Sequence, residues 1–511
     1  VTRRRVRHTW LSEAIIVAAL MLLPLLFWWR LWALDPADRA TIPDGDFTSQ
    51  YYPLQRFAAQ ELAAGRLPAW NPYLNAGQPG LADIQTGTFY PLNLLPNVVL
   101  ALLDVPLGIG LLTAQVILHF SLASLFTYLL LRHLALRAGA RKPAARFAGV
   151  VAALSFAYGG YLTSFPVQQL TILETAVWLP LVLLFLDRGS DSAHPRRQLA
   201  LAGLALACAL LAGHPQTAMY LVYASLAYGA LLAWLSGSAR GLGSRGWLGG
   251  MARVLAPLAL GVGLAAIQLV PTLTFITRST RAGLDYGAVS WGFPLAEITH
   301  LVYPGYFGGS PQYIGILPAI LALASLFLGR ARHRILFWIA MGSLAFVLAF
   351  GGNTFLYSVG YLMAPGLGAV RNQERVIYLF GFAASVLAGY GALIVVQPLP
   401  PDARKGYRRL VRGVGWAFIA FLALTALWYF GFLQASQQGV EVNLFEGVLR
   451  HHALLLLLLG ASLGLLQLRA AGRGRRAAWG ALALAVISLN LFTVNWRYNL
   501  SEPVAAGPFP E

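Results

Sequence analysis

Thirteen runs of mostly apolar residues, each near the twenty or so needed to cross the hydrocarbon core of a bilayer, divide this chain. They fall at 13–34, 107–131, 147–164, 170–186, 198–213, 216–235, 254–275, 312–329, 335–351, 376–396, 414–433, 447–468 and 477–496. A chain of 511 residues that is 58% hydrophobic and 11% charged cannot hide that surface in one water-soluble core; soluble domains ordinarily carry about 25% charged residues. Lipid must be its solvent, and the expected fold is an all-α polytopic membrane protein of about 13 transmembrane helices. The basic start VTRRRVRHTW leads into a long apolar stretch with no small-residue cleavage site after it. It reads as a tail, 1–13, and a retained first span, 14–34, rather than a cleaved signal.

Charge orients these spans. With the N-terminus in the cytoplasm, the inner segments are 1–13, 132–146, 187–198, 236–253, 329–335, 397–413 and 469–476. They hold 27 of the 37 Lys and Arg residues but only Glu13, Asp187, Asp191 and Asp402 of the 19 acids. Cytoplasmic loops carry such an excess of positive charge, so the expected location is an inner membrane, with the C-terminal tail, 498–511, outside. The net charge of +18 and clusters such as DARKGYRRLVR then serve orientation and lipid headgroups rather than nucleic acid. The inner loops are short and contain no GxxxxGK[ST] run, which argues against a self-contained ATP-driven pump. The single cysteine, Cys208, lies in the apolar run LALACALLAG and reads as a packing residue. The histidines form no HExxH and no Cys/His cluster, so no zinc site is expected.

The first outer loop, 35–106, is the longest polar stretch, and long loops of this kind usually carry function. Asp44 and Asp46 flank Gly45; an amphipathic stretch, YYPLQRFAAQELAAG, follows and reads as a helix on the membrane surface. PAWNPYLNAGQPG then reads as successive turns. The two carboxylates could supply a general base and hold a divalent cation, Mg or Mn. The same residues also suit an Asx turn or the N-cap of the next helix.

The order of DGDFTSQYYP, LPAWNPYLNAGQP and GTFYPLNLL in this loop, GHPQTAMY between the fifth and sixth spans, RNQERVIYL before the tenth and NWRYN after the last resembles the YfhO-type bacterial membrane proteins of the GT-C glycosyltransferase superfamily. The resemblance covers most of the chain. It implies a GT-C-like bundle whose long first extracytoplasmic loop carries interfacial helices and an essential acid, here Asp46 or Asp44. It also implies a polyprenyl-phosphate-linked sugar donor in the bacterial cell membrane, and a cell-envelope polymer, glycolipid or protein as acceptor. Many relatives continue outward after the final span, whereas this sequence stops at VAAGPFPE; either that domain is absent or the sequence is cut short.

Residue chemistry adds candidates beside the resemblance. All ten basic residues left on the outer side are arginines, and arginine grips phosphate with two parallel hydrogen bonds. Arg371 and Arg375, one helical turn apart at the mouth of the tenth span, are the expected grip on the leaving phosphate, with Arg278 and Arg281 beside them. Snorkelling to the interface, or pairing with Glu374, would explain the same pair. His214 and Gln216 open a helix whose N-terminal amides suit an anion, although an ordinary helix-turn-helix cap is the preferred reading of His214. Gln168, Gln169 and Glu174 lie between the third and fourth spans, where an acid lines a cavity or pairs. The outer loop 276–311, with His300, could stack a sugar ring or belt the interface. Asp83, Gln85, Tyr90 and Trp70 complete the expected substrate contacts. The reaction so read is direct displacement with inversion. A flippase or exporter of lipid-linked saccharides, or a non-catalytic envelope-assembly protein, is the alternative.

Overall fold

The computed structural model describes residues 2–240, 243–279, 284–304, 309–329, 332–439, 442–472 and 476–502. Helices dominate because an apolar chain in lipid must satisfy its own backbone. In chain order they are α1 (Thr2–Phe27), α2 (Tyr52–Ala63), α3 (Pro91–Leu102), α4 (Ile109–Arg137), α5 (Lys142–Ala157), α6 (Phe165–Gln168) and α7 (Leu170–Ala176). The series continues with α8 (Leu179–Asp191), α9 (Pro195–Leu211), α10 (Pro215–Arg240), α11 (Gly243–Leu264), α12 (Ala266–Ile276) and α13 (Tyr286–Val289). It ends with α14 (Ile316–Leu328), α15 (Arg332–Leu348), α16 (Phe355–Met363), α17 (Ile377–Val396), α18 (Pro401–Gln437), α19 (Asn443–Ala470) and α20 (Arg476–Asn495).

Each of the thirteen apolar windows contains a helix, but the spans that meet length and apolarity number fewer. Among the described residues seven helices are long and apolar enough to cross a membrane, or eight if the pair α11 and α12, bent by 76°, is one span. The other windows hold α1, whose apolar part is Leu11–Phe27, and α5, α9, α14 and α15, none longer than 17 residues apart from α1 itself. A 17-residue helix rises only about 25 Å, so apolar composition there outruns helix length. The first helix also ends at Phe27, short of the expected boundary at 34.

At the centre stands α17, buried along most of its length and packed on α5, α14 and α15. Its closest approach needs a glycine: a Cβ on Gly391 would fall 1.7 Å from the Leu321 carbonyl oxygen of α14. By contrast α18 exposes Trp416, Leu427 and Phe430 along its side, as a lipid-facing helix does. First and last helices are joined by aromatic packing, with the Phe27 and Phe492 rings 4.9 Å apart.

The two ends of the bundle differ. At the end rich in Lys and Arg, fully buried Asp187 accepts from Tyr228, Arg334 and Arg137 and faces His133, tying α4, α8, α10 and α15 together. Asp187→Ala would leave the Arg334 guanidinium without an acid among the described residues, while Arg137 keeps only Asp191. A loss of about 3–5 kcal/mol is expected, read as a lower melting temperature of the detergent-solubilised protein; an unchanged melt would contradict it.

The other end carries the long first loop. Its predicted surface helix exists as α2, but buries Leu54, Gln55, Phe57, Ala58 and Ala59 rather than simply lying flat. The Pro- and Asn-rich stretch becomes a small antiparallel hairpin, β1 (Trp70–Asn71) against β2 (Gln78–Pro79). Ser501 and Glu502 also lie here: Thr41 pairs with Ser501, and Arg30 grips Glu502 through two bonds of 3.0 and 2.8 Å. Asn495 and Asn499 of NWRYN donate to the carbonyls of Tyr158, Thr163 and Ser164. That motif therefore braces the loop leading to Gln168 and Gln169.

Candidate functional site

The DGD segment enters a π-helical turn, Phe47–Tyr51, a geometry often found at functional sites. Asp46 stands before this turn but does not cap it. Its Oδ2 instead accepts from Gln169 Nε2 at 3.0 Å. Asp44 is exposed, and among the described residues its carboxylate receives only a long bond, 3.5 Å, from the Thr48 hydroxyl. The two acids thus have different surroundings. Gly45 permits the approach, since a Cβ there would sit 2.9 Å from Gln168 Oε1. Gln168 in turn donates to the Pro43 carbonyl at 3.1 Å.

Gln169 occupies the break between α6 and α7, with φ −102° and ψ 71°. The break turns its side chain out of the helical row and into the space between three elements. Its Oε1 accepts from Arg375 Nη2 at 3.0 Å, and Arg375 Nη1 reaches Gln216 Oε1 on α10, also at 3.0 Å. Gln216 is fixed by donating to Tyr220 Oη and the Asn372 carbonyl. The result is one continuous row, Asp46–Gln169–Arg375–Gln216, assembled from four motifs scattered over more than 300 residues.

Arginines at this end fall into those engaged by an acid and those, such as Arg39, Arg56 and Arg375, that are held by carbonyl, hydroxyl or amide oxygens. Arg30, Arg66 and Arg450 each pair with a glutamate. Arg375, half-buried, is held by two neutral amide oxygens and makes no salt bridge among the described residues. A guanidinium so placed retains its positive charge for an incoming anion. Arg371 does not share its setting. Asn372 adopts a left-handed conformation, φ 63°, and Gln373–Val376 is a 3-10 turn. The expected helical spacing is therefore broken, and Arg371 projects as an exposed residue. Glu374 accepts from Asn372 Nδ2 at 2.8 Å rather than pairing with an arginine.

Next to this row lies a second group. Tyr51 Oη accepts from Gln85 Nε2 and Thr171 Oγ1, each at 3.3 Å, and Gln50 donates to Gln85. Burial pushes the Tyr51 phenol up to about 12, with Asp46 reinforcing and Arg375 opposing the shift, so it remains a neutral hydrogen-bonding group. Asp83 caps the turn Ile84–Thr86 by accepting from the Gln85 amide at 3.1 Å.

Other expected contacts fall elsewhere. Glu174 is fully buried; Asn93 lies beside it, yet neither carboxylate oxygen meets hydrogen-bond geometry. Tyr90 is also fully buried, bonded to His119 at 2.8 Å and to the Trp178 ring N–H at 3.0 Å. It is an internal polar anchor and presents no surface to a substrate. His214 Nδ1 accepts from the Thr217 amide at 3.1 Å and so caps α10. Trp70 is 58% exposed on the hairpin. His300 is buried, 3.9 Å from Glu297; burial raises the Glu297 carboxyl, opposed by Gln312 and reinforced by Glu374. Arg278 is exposed, and Arg281 lies outside the described residues. No group of three or more His, Cys, Asp or Glu side chains comes together among the described residues. Sequence reasoning does not single out Tyr51, Tyr220 or Gln373; each sits inside a quoted motif, close to a residue that it does single out.

This is an all-α polytopic membrane protein with a polar, acid- and arginine-bearing site at one end of its bundle. The model of the family described as bacterial membrane protein YfhO matches residues 15–505, and the chain belongs to that family. No curated protein matches it in sequence. Solved structures resemble it only distantly, and two of them are as follows. One is ArnT from Cupriavidus metallidurans bound to undecaprenyl phosphate, with TM-score 0.45 and 14% identity over 95% of this chain and 77% of that one. The other is the archaeal oligosaccharyltransferase AglB from Archaeoglobus fulgidus, in complex with an inhibitory peptide and a dolichol-phosphate. It gives 0.43 and 14% over 93% of this chain and 56% of that one. At such scores no residue role is carried over.

Proposed function

We propose that this protein transfers a sugar from a polyprenyl-phosphate carrier to a cell-envelope acceptor, at the outer face of the bacterial cell membrane. The observation that carries this reading is the row Asp46–Gln169–Arg375–Gln216, which sets a carboxylate and an arginine without an acidic partner in one place. Asp46 takes the proton from an acceptor hydroxyl as that oxygen attacks the anomeric carbon. The bond from that carbon to the phosphate oxygen breaks, and the polyprenyl phosphate leaves with its charge on Arg375. A single displacement inverts the anomeric centre. A charge-assisted bond to phosphate is about twice as strong as a neutral one, so phosphate displaces the amide oxygens now on Arg375.

Carboxylate oxygens suit magnesium or manganese, which take one or two protein carboxylates and fill the shell from phosphate and water. Asp46 and Asp44 would hold such an ion, which would neutralise charge on the leaving phosphate. Helix α1 and the short helices α5, α9, α14 and α15 complete the bundle in this reading, with the basic end cytoplasmic.

The full chain in nanodiscs is expected to bind undecaprenyl phosphate. Supplied with undecaprenyl-phosphate-linked sugars and an envelope fraction, it should release undecaprenyl phosphate as labelled sugar enters the acceptor. Passage of the intact donor between leaflets without cleavage would establish the exporter alternative instead. Absence of both binding and cleavage would remove the reading.

A further inference from the structure

Asp46 and Arg375 carry opposite charges and are both half-buried, a setting in which Coulomb attraction is stronger than in water. They nevertheless form no direct ion pair; the Gln169 amide stands between them, 3.0 Å from each. We propose that Gln169 is a positioning residue, an insulating amide that keeps the carboxylate and the guanidinium from closing on each other and so leaves both free for the reactants. This inference rests on the transfer reading above and names a further residue for it.

Only one orientation of the amide serves. Its oxygen faces the cation and its NH2 faces the anion; a flipped amide would set donor against donor and acceptor against acceptor. Few side chains can substitute. Asparagine is shorter by a methylene, glutamate would repel Asp46, and an apolar residue would satisfy neither neighbour. The backbone holds the amide in place. The break between α6 and α7 directs the side chain inward, and the Gln169 backbone N–H donates to the Phe165 carbonyl at 2.9 Å. Gln216 restrains Arg375 from the opposite side, and is itself fixed by Tyr220 and Asn372. With Gln169 gone, nothing stands between Asp46 and Arg375, and the carboxylate competes with any phosphate for the guanidinium.

Gln169→Met keeps the volume and removes the insulation. Undecaprenyl phosphate binding by the full chain in nanodiscs should weaken by roughly tenfold or more, the scale of close charge-pair couplings. Adding Asp46→Asn to Gln169→Met should restore it, because the competing carboxylate is gone. Unchanged binding in Gln169→Met, or weakened binding that Asp46→Asn does not rescue, overturns the proposal; a merely structural role predicts that second result. A structure of Gln169→Met in nanodiscs decides the same point without ligand: Asp46 in direct contact with Arg375 supports it, and the two groups still apart overturn it. Failure of the unsubstituted protein to bind the probe would count against the polyprenyl-phosphate reading alone, since the structural comparison still decides the role of Gln169.

Discussion

Asp46→Asn is expected to reduce sugar transfer by about 100-fold or more, the usual contribution of a positioned general base, while the protein still inserts, folds and binds undecaprenyl phosphate. The substitution is nearly isosteric. The carbonyl oxygen of the new side-chain amide can still accept from Gln169 Nε2, the bond that now holds the carboxylate at 3.0 Å, so the row survives. What disappears is the negative charge and with it the capacity to take a proton. Because Asp46 makes no cap on the turn Phe47–Tyr51, the substitution should leave that turn in place. The measurement is incorporation of labelled sugar from a panel of undecaprenyl-phosphate sugars into envelope material, alongside a thermal melt. Transfer at the unsubstituted rate in a well-folded Asp46→Asn would remove the acid from the mechanism.

The helices are legible in the sequence because lipid forces apolar side chains and helical backbone to coincide. Every apolar window holds a helix, down to the 13 residues of α14. Which of them span is less legible, because composition carries no information on where a proline or a bend shortens the helix, as between α11 and α12. In the site, the polar residues at span mouths are recognisable by being out of place, and Asp46, Gln216 and Arg375 do converge. The expected pairing of Arg371 with Arg375 fails. A spacing of four implies a shared face only in a helix, and Asn372 at φ 63° breaks it. Tyr90 departs from expectation for a related reason: an aromatic with a hydroxyl suits an interface and a buried anchor equally, and only its bonds to His119 and Trp178 decide between them. Gln169 stands out in the sequence only as a polar residue at a boundary. Its insulating position depends on a helix break and on two partners more than 100 residues away in opposite directions.

Arg375→Ala should abolish detectable binding of undecaprenyl phosphate, and Arg375→Lys should retain only a weak remnant. Alanine removes the half-buried cation that no acid neutralises among the described residues. Lysine keeps a charge but not the planar fork that reaches Gln169 and Gln216 at once and would present two parallel donors to a phosphate. Truncating one partner of a buried charge-assisted contact typically costs about 2–5 kcal/mol, which corresponds to a loss of roughly 30- to 5,000-fold. Arg371→Ala supplies the contrast. Arg371 is exposed on the far side of the left-handed Asn372, so removing it should leave affinity within about twofold, as for a solvated surface charge. Both substitutions remove one positive charge four residues apart in sequence, and so alter the general attraction of this end for anions almost equally. A large loss confined to Arg375 therefore locates the phosphate between Gln169 and Gln216, and equal losses at both positions would reduce the effect to non-specific electrostatics.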